Sequence, residues 1–220
     1  MSDLLKLDVV DQDGAIREAE EAVGGDRRAD FFRKAALGGA ATLGGGVMLS
    51  GFPSIALGAK PSKKQDIEIL NYALTLEYLE NEFYKEAISK AGLTGENLAV
   101  AKVVQSHENA HVATLRKALG KSAVKKPKFN FGNTTANTAN FLKTAVVLED
   151  TGVSAYAGQG TRIKQKAVIV AALSIHSVEA RHAALLRRLN NQNGAPRSFD
   201  KAASMKTVLA AVKKTGFIQS

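Results

Sequence analysis

The sequence predicts an all-α fold: a four-helix bundle of two antiparallel hairpins joined by a long crossover, with a short C-terminal helix. Three observations lead there. Apolar residues recur at helical spacing in four long stretches after Ser62, the pattern of helices that bury one face. A short Gly-bearing turn lies within each pair of stretches, whereas a long aperiodic segment separates the pairs. Strand-like alternation is nearly absent.

The chain has 220 residues, 30 Lys+Arg against 21 Asp+Glu, and neither Cys nor Trp. At about 100 to 200 residues per domain, this is one domain with an appendage or two small ones. The lack of Cys excludes disulfide scaffolds, thiolate zinc sites, Cys-ligated iron–sulfur clusters and Cys nucleophiles. Any bound metal must be held by His, carboxylate or backbone oxygen. Charge divides the chain at residue 59. Residues 1–59 carry six Lys/Arg and nine Asp/Glu, a net of −3, while residues 60–220 carry 24 and 12, a net of +12. We therefore read 1–59 as an N-terminal extension and 60–220 as the folded domain.

In the extension, Arg27-Arg28 and Arg33-Lys34 stand just ahead of a small-residue apolar run from Ala35 to Ala59. This is the layout of a twin-arginine export signal. The run is rich in Gly and Ala, which favours a removable signal, cut near Ala59, over a permanent anchor. An uncleaved membrane anchor and a buried Gly/Ala helix are the alternatives. Two details depart from the usual signal: Phe31 stands three residues after Arg28, and Asp26 precedes the pair. The acidic stretch from Asp3 to Glu21 carries no assignable function.

The first bundle helix follows from Ile67, Leu70, Leu74, Tyr84 and Ile88 on one face. Ser62 with Gln65 makes a capping box, and Gly92 is a natural stop. Thr94 can cap the second helix, which carries Leu98, Ala101, Val104, Leu115 and Leu119 before Gly120. The stretch from Lys121 to Thr135 contains Pro127 and Gly132, has no helical period and suits a crossover along the bundle. A third helix begins near Ala136 and runs with Phe141, Leu142, Val146 and Val153 toward Gly158 and Gly160. The fourth spans about Arg162 to Asn190. After Pro196, Met205, Val208, Leu209 and Val212 mark a shorter packing helix.

The chemistry lies in two of the four His. Each ends a Glu-x-x-His motif, Glu108 to His111 and Glu179 to His182, and each motif has a Glu upstream, Glu77 at 31 residues and Glu149 at 30. Glu149 stands among Val146, Val147, Leu148 and Val153, where a lone carboxylate needs a partner. The two hairpins also match locally, since a Tyr follows each upstream Glu at +7, Tyr84 and Tyr156. This is an internal repeat of one half-site. Residues at i and i+3 share a helix face, so each motif offers one oxygen and one nitrogen ligand inward. Four carboxylates gathered in a bundle repel strongly unless cations neutralise them, and two divalent ions suffice. An oxygen-rich set with one imidazole per ion suits iron or manganese better than a closed zinc site.

With these motifs, the segment from about Gln65 to Asn190 resembles the ferritin-like di-iron/di-manganese carboxylate superfamily. Within it, the secreted ferritin-like domain proteins akin to plant desiccation-related proteins are nearest, and Ile69-Leu70-Asn71-Tyr72-Ala73-Leu74-Thr75-Leu76-Glu77-Tyr78-Leu79-Glu80 is similar to their opening helix. The resemblance implies a ferritin-like bundle with two iron ions, or alternatively two manganese ions. It implies Glu77 and Glu149 as terminal ligands, Glu108 and Glu179 as bridging ligands, and His111 and His182 as one nitrogen ligand for each metal. Tyr84 and Tyr156 could hydrogen-bond the ligands, although ordinary core tyrosines are the favoured reading. His176 is either a donor to a ligand or a satisfied core His, and the direction of His107 is ambiguous. Glu80 could add a carboxylate, but Gly152 holds the matching place in the other hairpin, so we read Glu80 as solvated.

The expected function is redox chemistry on Fe(II), dioxygen or hydrogen peroxide, with ferroxidase or peroxidase-like activity ranked above manganese-catalase-like disproportionation. The alternative is a non-catalytic metal-binding envelope stress protein. No Cys module is present to deliver electrons, so a complete rubrerythrin is excluded. The basic residues are dispersed over helix faces, so nucleic acid is not an expected partner. The expected partners are metal ions, small oxidants and the twin-arginine translocation machinery, with a homodimer left open. The location implied is the periplasm or the exterior, or the membrane if the apolar run is kept.

Overall fold

The computed structural model describes residues 64–219. The N-terminal extension, the twin-arginine segment and the Ser62 end of the proposed capping box lie outside these residues. Among the described residues there are five α-helices: α1 Lys64–Lys90, α2 Gly95–Leu119, α3 Thr138–Gly160, α4 Lys166–Leu189 and α5 Met205–Thr215. Helices α1 and α2 pair closely, as do α3 and α4; contacts of α1 with α3 and of α2 with α4 close the bundle.

Apolar residues sort into two clusters, and the sorting fixes helix direction. Leu70 and Leu74 near the start of α1 pack with Leu115 near the end of α2, Tyr156 of α3 and Ile175 of α4. Phe83 and Ala87 further along α1 pack with Ala101 and Val104 of α2, Phe141 and Leu142 of α3, and Leu186 of α4. Helices α2 and α3 therefore run in the same direction. A connection between two parallel helices must return along the bundle, which explains the long segment between Gly120 and Asn137.

That segment is anchored, not slack. Short 3-10 turns occupy Gly120–Ser122 and Gly132–Thr135. Between them β1, Lys128–Phe129, pairs antiparallel with β2, Ile218–Gln219, beyond α5. Phe131 is buried edge-on against Phe83 of α1 and Phe217 of the tail, at ring separations of 5.4 and 5.3 Å. The strand pair was not expected, because two-residue strands leave no periodicity to read.

The helix ends show where local signals act. Gly120 closes α2 at φ 54°, a conformation that glycine adopts without steric cost. Thr94 occupies the N-cap position of α2, but its side chain makes no capping bond. Asn137 caps α3 by accepting from the Asn140 backbone N–H at 2.8 Å, so α3 starts slightly later than Ala136. Ser204 caps α5 in the same way through Thr207. Leu209, expected to pack with α5's apolar face, is instead exposed, and Val208 and Val212 make that contact.

Candidate metal centre

Between the two apolar clusters lies a polar layer, one helical turn deep on each of the four long helices. Glu77 of α1, Glu108 of α2, Glu149 of α3 and Glu179 of α4 are all fully buried, and His111 and His182 are 2% exposed. The i,i+3 spacing directs Glu108 and His111 inward together on α2, and Glu179 and His182 together on α4.

His111 Nδ1 lies 3.1 Å from Glu77 Oε2, 3.3 Å from Glu108 Oε2 and 3.1 Å from Glu179 Oε1. His182 Nδ1 lies 3.1 Å from Glu149 Oε2 and 3.0 Å from Glu108 Oε1. Two ligand groups result. Glu77, Glu108, His111 and Glu179 form one, while Glu108, Glu149, Glu179 and His182 form the other, with the candidate atoms of each within 4.8 Å of one another. Glu108 and Glu179 belong to both groups, the placement a bridging carboxylate needs. Glu108 turns one oxygen toward each imidazole.

The donor set is chemically unfinished. Glu108 Oε1 and both oxygens of Glu179 are buried without a hydrogen-bond partner; their close approaches to the imidazoles lack hydrogen-bond alignment. Bare carboxylate oxygens in a protein interior are costly. Cations shared between the two groups would satisfy them, so the residues fit a metal centre.

The family model of the ferritin-like domain matches residues 65–192, more than half of the 220-residue chain. The chain belongs to the ferritin-like domain family. Comparison with curated proteins finds no match. The matched residues cover the four long helices except Lys64 and include every member of both ligand groups, so the polar layer sits where this domain is built.

Electrostatics within this ferritin-like layer follow from burial and crowding. Burial, then repulsion from Glu77, holds the Glu108 carboxyl well above the ordinary 4.5. Burial, then repulsion from Glu108, Glu77 and Glu149, does the same to Glu179. Burial also pushes Glu77 up, but the attraction of His111 and hydrogen bonds from His111, Glu108 and Tyr156 outweigh it and leave Glu77 lowered. Burial acts to lower His111, and the surrounding carboxylates overturn that and hold it well above 6.5. A ring of this kind keeps protons until cations replace them.

The tyrosines connect the halves crosswise. Tyr84 of α1 donates to Glu149 Oε1 on α3, and Tyr156 of α3 donates to Glu77 Oε1 on α1, each at 2.5 Å. The favoured reading of ordinary core tyrosines is thus corrected: each phenol orients the outer carboxylate of the opposite hairpin. Burial, then the carboxylate it contacts, raises each phenol's pKa, so both remain donors.

Glu80 also requires correction. It is 3% exposed, and burial followed by repulsion from Glu179, Glu149, Glu108 and Glu77 raises it well above 4.5. Space comes from Gly152, where a Cβ would stand 3.2 Å from Glu80 Oε1 and 3.0 Å from Glu179 Oε2. The glycine taken as a sign against Glu80 is what admits it. His176 donates to no ligand residue, and its Nδ1 is buried and unpartnered, so it is neither a ligand partner nor a satisfied core His. His107 is exposed, and its Nδ1 lies 2.9 Å from His182 Nε2 with the rings nearly parallel. Burial, then the neighbouring His182, lowers its pKa.

Proposed function

We propose that the chain is a dinuclear non-haem iron or manganese protein, with ferroxidase- or peroxidase-like chemistry on Fe(II), dioxygen or hydrogen peroxide. The observation that carries this reading is the pair of buried ligand groups sharing Glu108 and Glu179. An oxygen-rich donor set with one imidazole per ion favours iron or manganese over structural zinc. When bound, two reduced ions supply the two electrons that convert one peroxide and two protons into two waters.

The chain's own residues then have distinct tasks. Glu77 with His111, and Glu149 with His182, would hold one ion each, while Glu108 and Glu179 would span both. Tyr84 and Tyr156 fix the outer carboxylates. Glu80 belongs to neither ligand group and is free to hold a proton on its carboxyl beside Glu179. The apolar clusters above and below exclude bulk water. Export is part of the reading: the twin-arginine-like segment supports a periplasmic or secreted location, and translocation in the folded state would allow metal loading beforehand.

Metal analysis of the full chain tests this reading. About two iron or manganese ions per chain are expected, with at least one lost in Glu149→Gln and with Fe(II) oxidation or peroxide consumption by the loaded protein. Stoichiometric metal that never changes oxidation state with peroxide would mark a binding protein. Absence of bound metal from a folded wild-type chain would refute the dinuclear centre.

A further inference from the structure

The repeat that builds the two half-sites is broken outside the ligand set at Glu80, matched by Gly152, and again beside the Glu-x-x-His motifs. His107 lies four residues before His111 on α2, and Val178 lies four residues before His182 on α4. His107 Nδ1 meets the far nitrogen of the opposite half's imidazole, His182 Nε2, at 2.9 Å. No described residue hydrogen-bonds Nε2 of His111, and a valine in the related position offers no acceptor.

We propose that His107 is a positioning residue that makes the two half-sites unequal, so that the half containing His182 takes up its divalent cation first and more tightly than the half containing His111. This rests on the dinuclear reading above. The reason is valence. His182 turns Nδ1 toward Glu108 Oε1 and Glu149 Oε2, at 3.0 and 3.1 Å. To bind a cation there, Nδ1 must present its lone pair, leaving the neutral ring's proton on Nε2. His107 Nδ1 is placed to accept that proton as a hydrogen bond, which fixes both the tautomer and the ring plane. Outer partners of metal-binding imidazoles act in this way, and their loss costs about 10- to 100-fold in metal affinity. The His111 half must order its ring without such help. Glu80 adjoins Glu179, the carboxylate common to both halves.

Titration of the metal-free full chain with Co(II), without oxygen, tests the proposal by visible absorption and calorimetry. Wild type is expected to bind in two steps separated by about 10- to 100-fold. His107→Val should weaken the tighter step into the range of the other and shift its absorption bands, with unchanged melting of the metal-free protein, since His107 is exposed. His107→Gln, which keeps an acceptor, should restore the separation, and Val178→His should tighten the weaker step. Two equal steps in wild type, or a His107→Val titration identical to wild type, would overturn the proposal and leave the dinuclear centre standing. A folded wild-type chain that binds no Co(II) would overturn both.

Discussion

Gly152 illustrates how one missing side chain shapes a centre. It faces Glu179 and Glu80 at distances a Cβ would make tight, 3.0 and 3.2 Å, and both neighbours are ends of flexible side chains. Gly152→Ala should therefore leave the metal-free fold within about 1 kcal/mol of wild type, helped by alanine's better helix propensity. Displacing a shared carboxylate should nevertheless reduce metal affinity about tenfold or more, measurable by Co(II) titration beside a denaturant melt. The tyrosines predict the opposite balance. Tyr84→Phe or Tyr156→Phe removes the only phenol donor to a buried carboxylate oxygen and should cost the metal-free protein about 1 to 3 kcal/mol, checked by urea unfolding. At this scale the six Glu and His residues were legible because spacing on a helix determines a shared face. Glu80 was not, because its burial depends on a glycine in another helix and not on its own neighbours in sequence. The crosswise tyrosines were hidden for the same reason: the +7 spacing placed them near their own hairpin's Glu, whereas each reaches the other's.

At the scale of elements, the start of α4 is set from 98 residues away. Asp66, in the first turn of α1 and fully buried, accepts the backbone N–H of Lys164 at 2.9 Å and of Gln165 at 3.0 Å. Those donors are thereby taken out of the helix, and α4 begins at Lys166 although the apolar period suggests about Arg162. Asp66→Ala would strip the turn of its acceptor and leave two partly buried backbone donors without their partner. The expected loss is about 2 to 4 kcal/mol from charge-assisted bonds to two amides, seen as a lower urea midpoint with an unchanged slope. The joint between α3 and the tail is similarly specific. A Cβ on Gly158 would lie 1.8 Å from the Ala203 carbonyl oxygen, which the backbone cannot absorb without moving. Gly158→Ala should release the segment before α5 and speed trypsin cleavage after Lys201, which is already exposed, relative to wild type. Helix number, order and approximate bounds were readable from periodicity; the long-range joints and the β1–β2 pair were not, because each depends on a partner far along the chain.

Taken whole, the molecule sandwiches a charged layer between two apolar clusters, and this layout determines how its stability responds to pH. In the metal-free protein Glu80, Glu108 and Glu179 are held above the ordinary carboxylate value of 4.5, and His111 above 6.5. For each of these groups the folded chain binds a proton more tightly than the unfolded one. Their contribution is complete below the unfolded value and is lost as pH rises toward the folded one. Glu77, lowered by His111, works in the other direction, gaining as pH rises through the acid range, but it is one group against four. The metal-free melting temperature should therefore fall over the range that opens near pH 4.5, the ordinary carboxylate value, and extends past 6.5, the ordinary imidazole value. Cation binding requires the same carboxylates and imidazoles without their protons, so metal affinity should rise over that interval. Paired melts with and without Mn(II) should show the stabilisation by metal widening as pH increases, while the metal-free baseline declines. A gap independent of pH would mean that the buried layer binds its cation without losing protons, which is incompatible with a cluster in which imidazole and carboxylate share them.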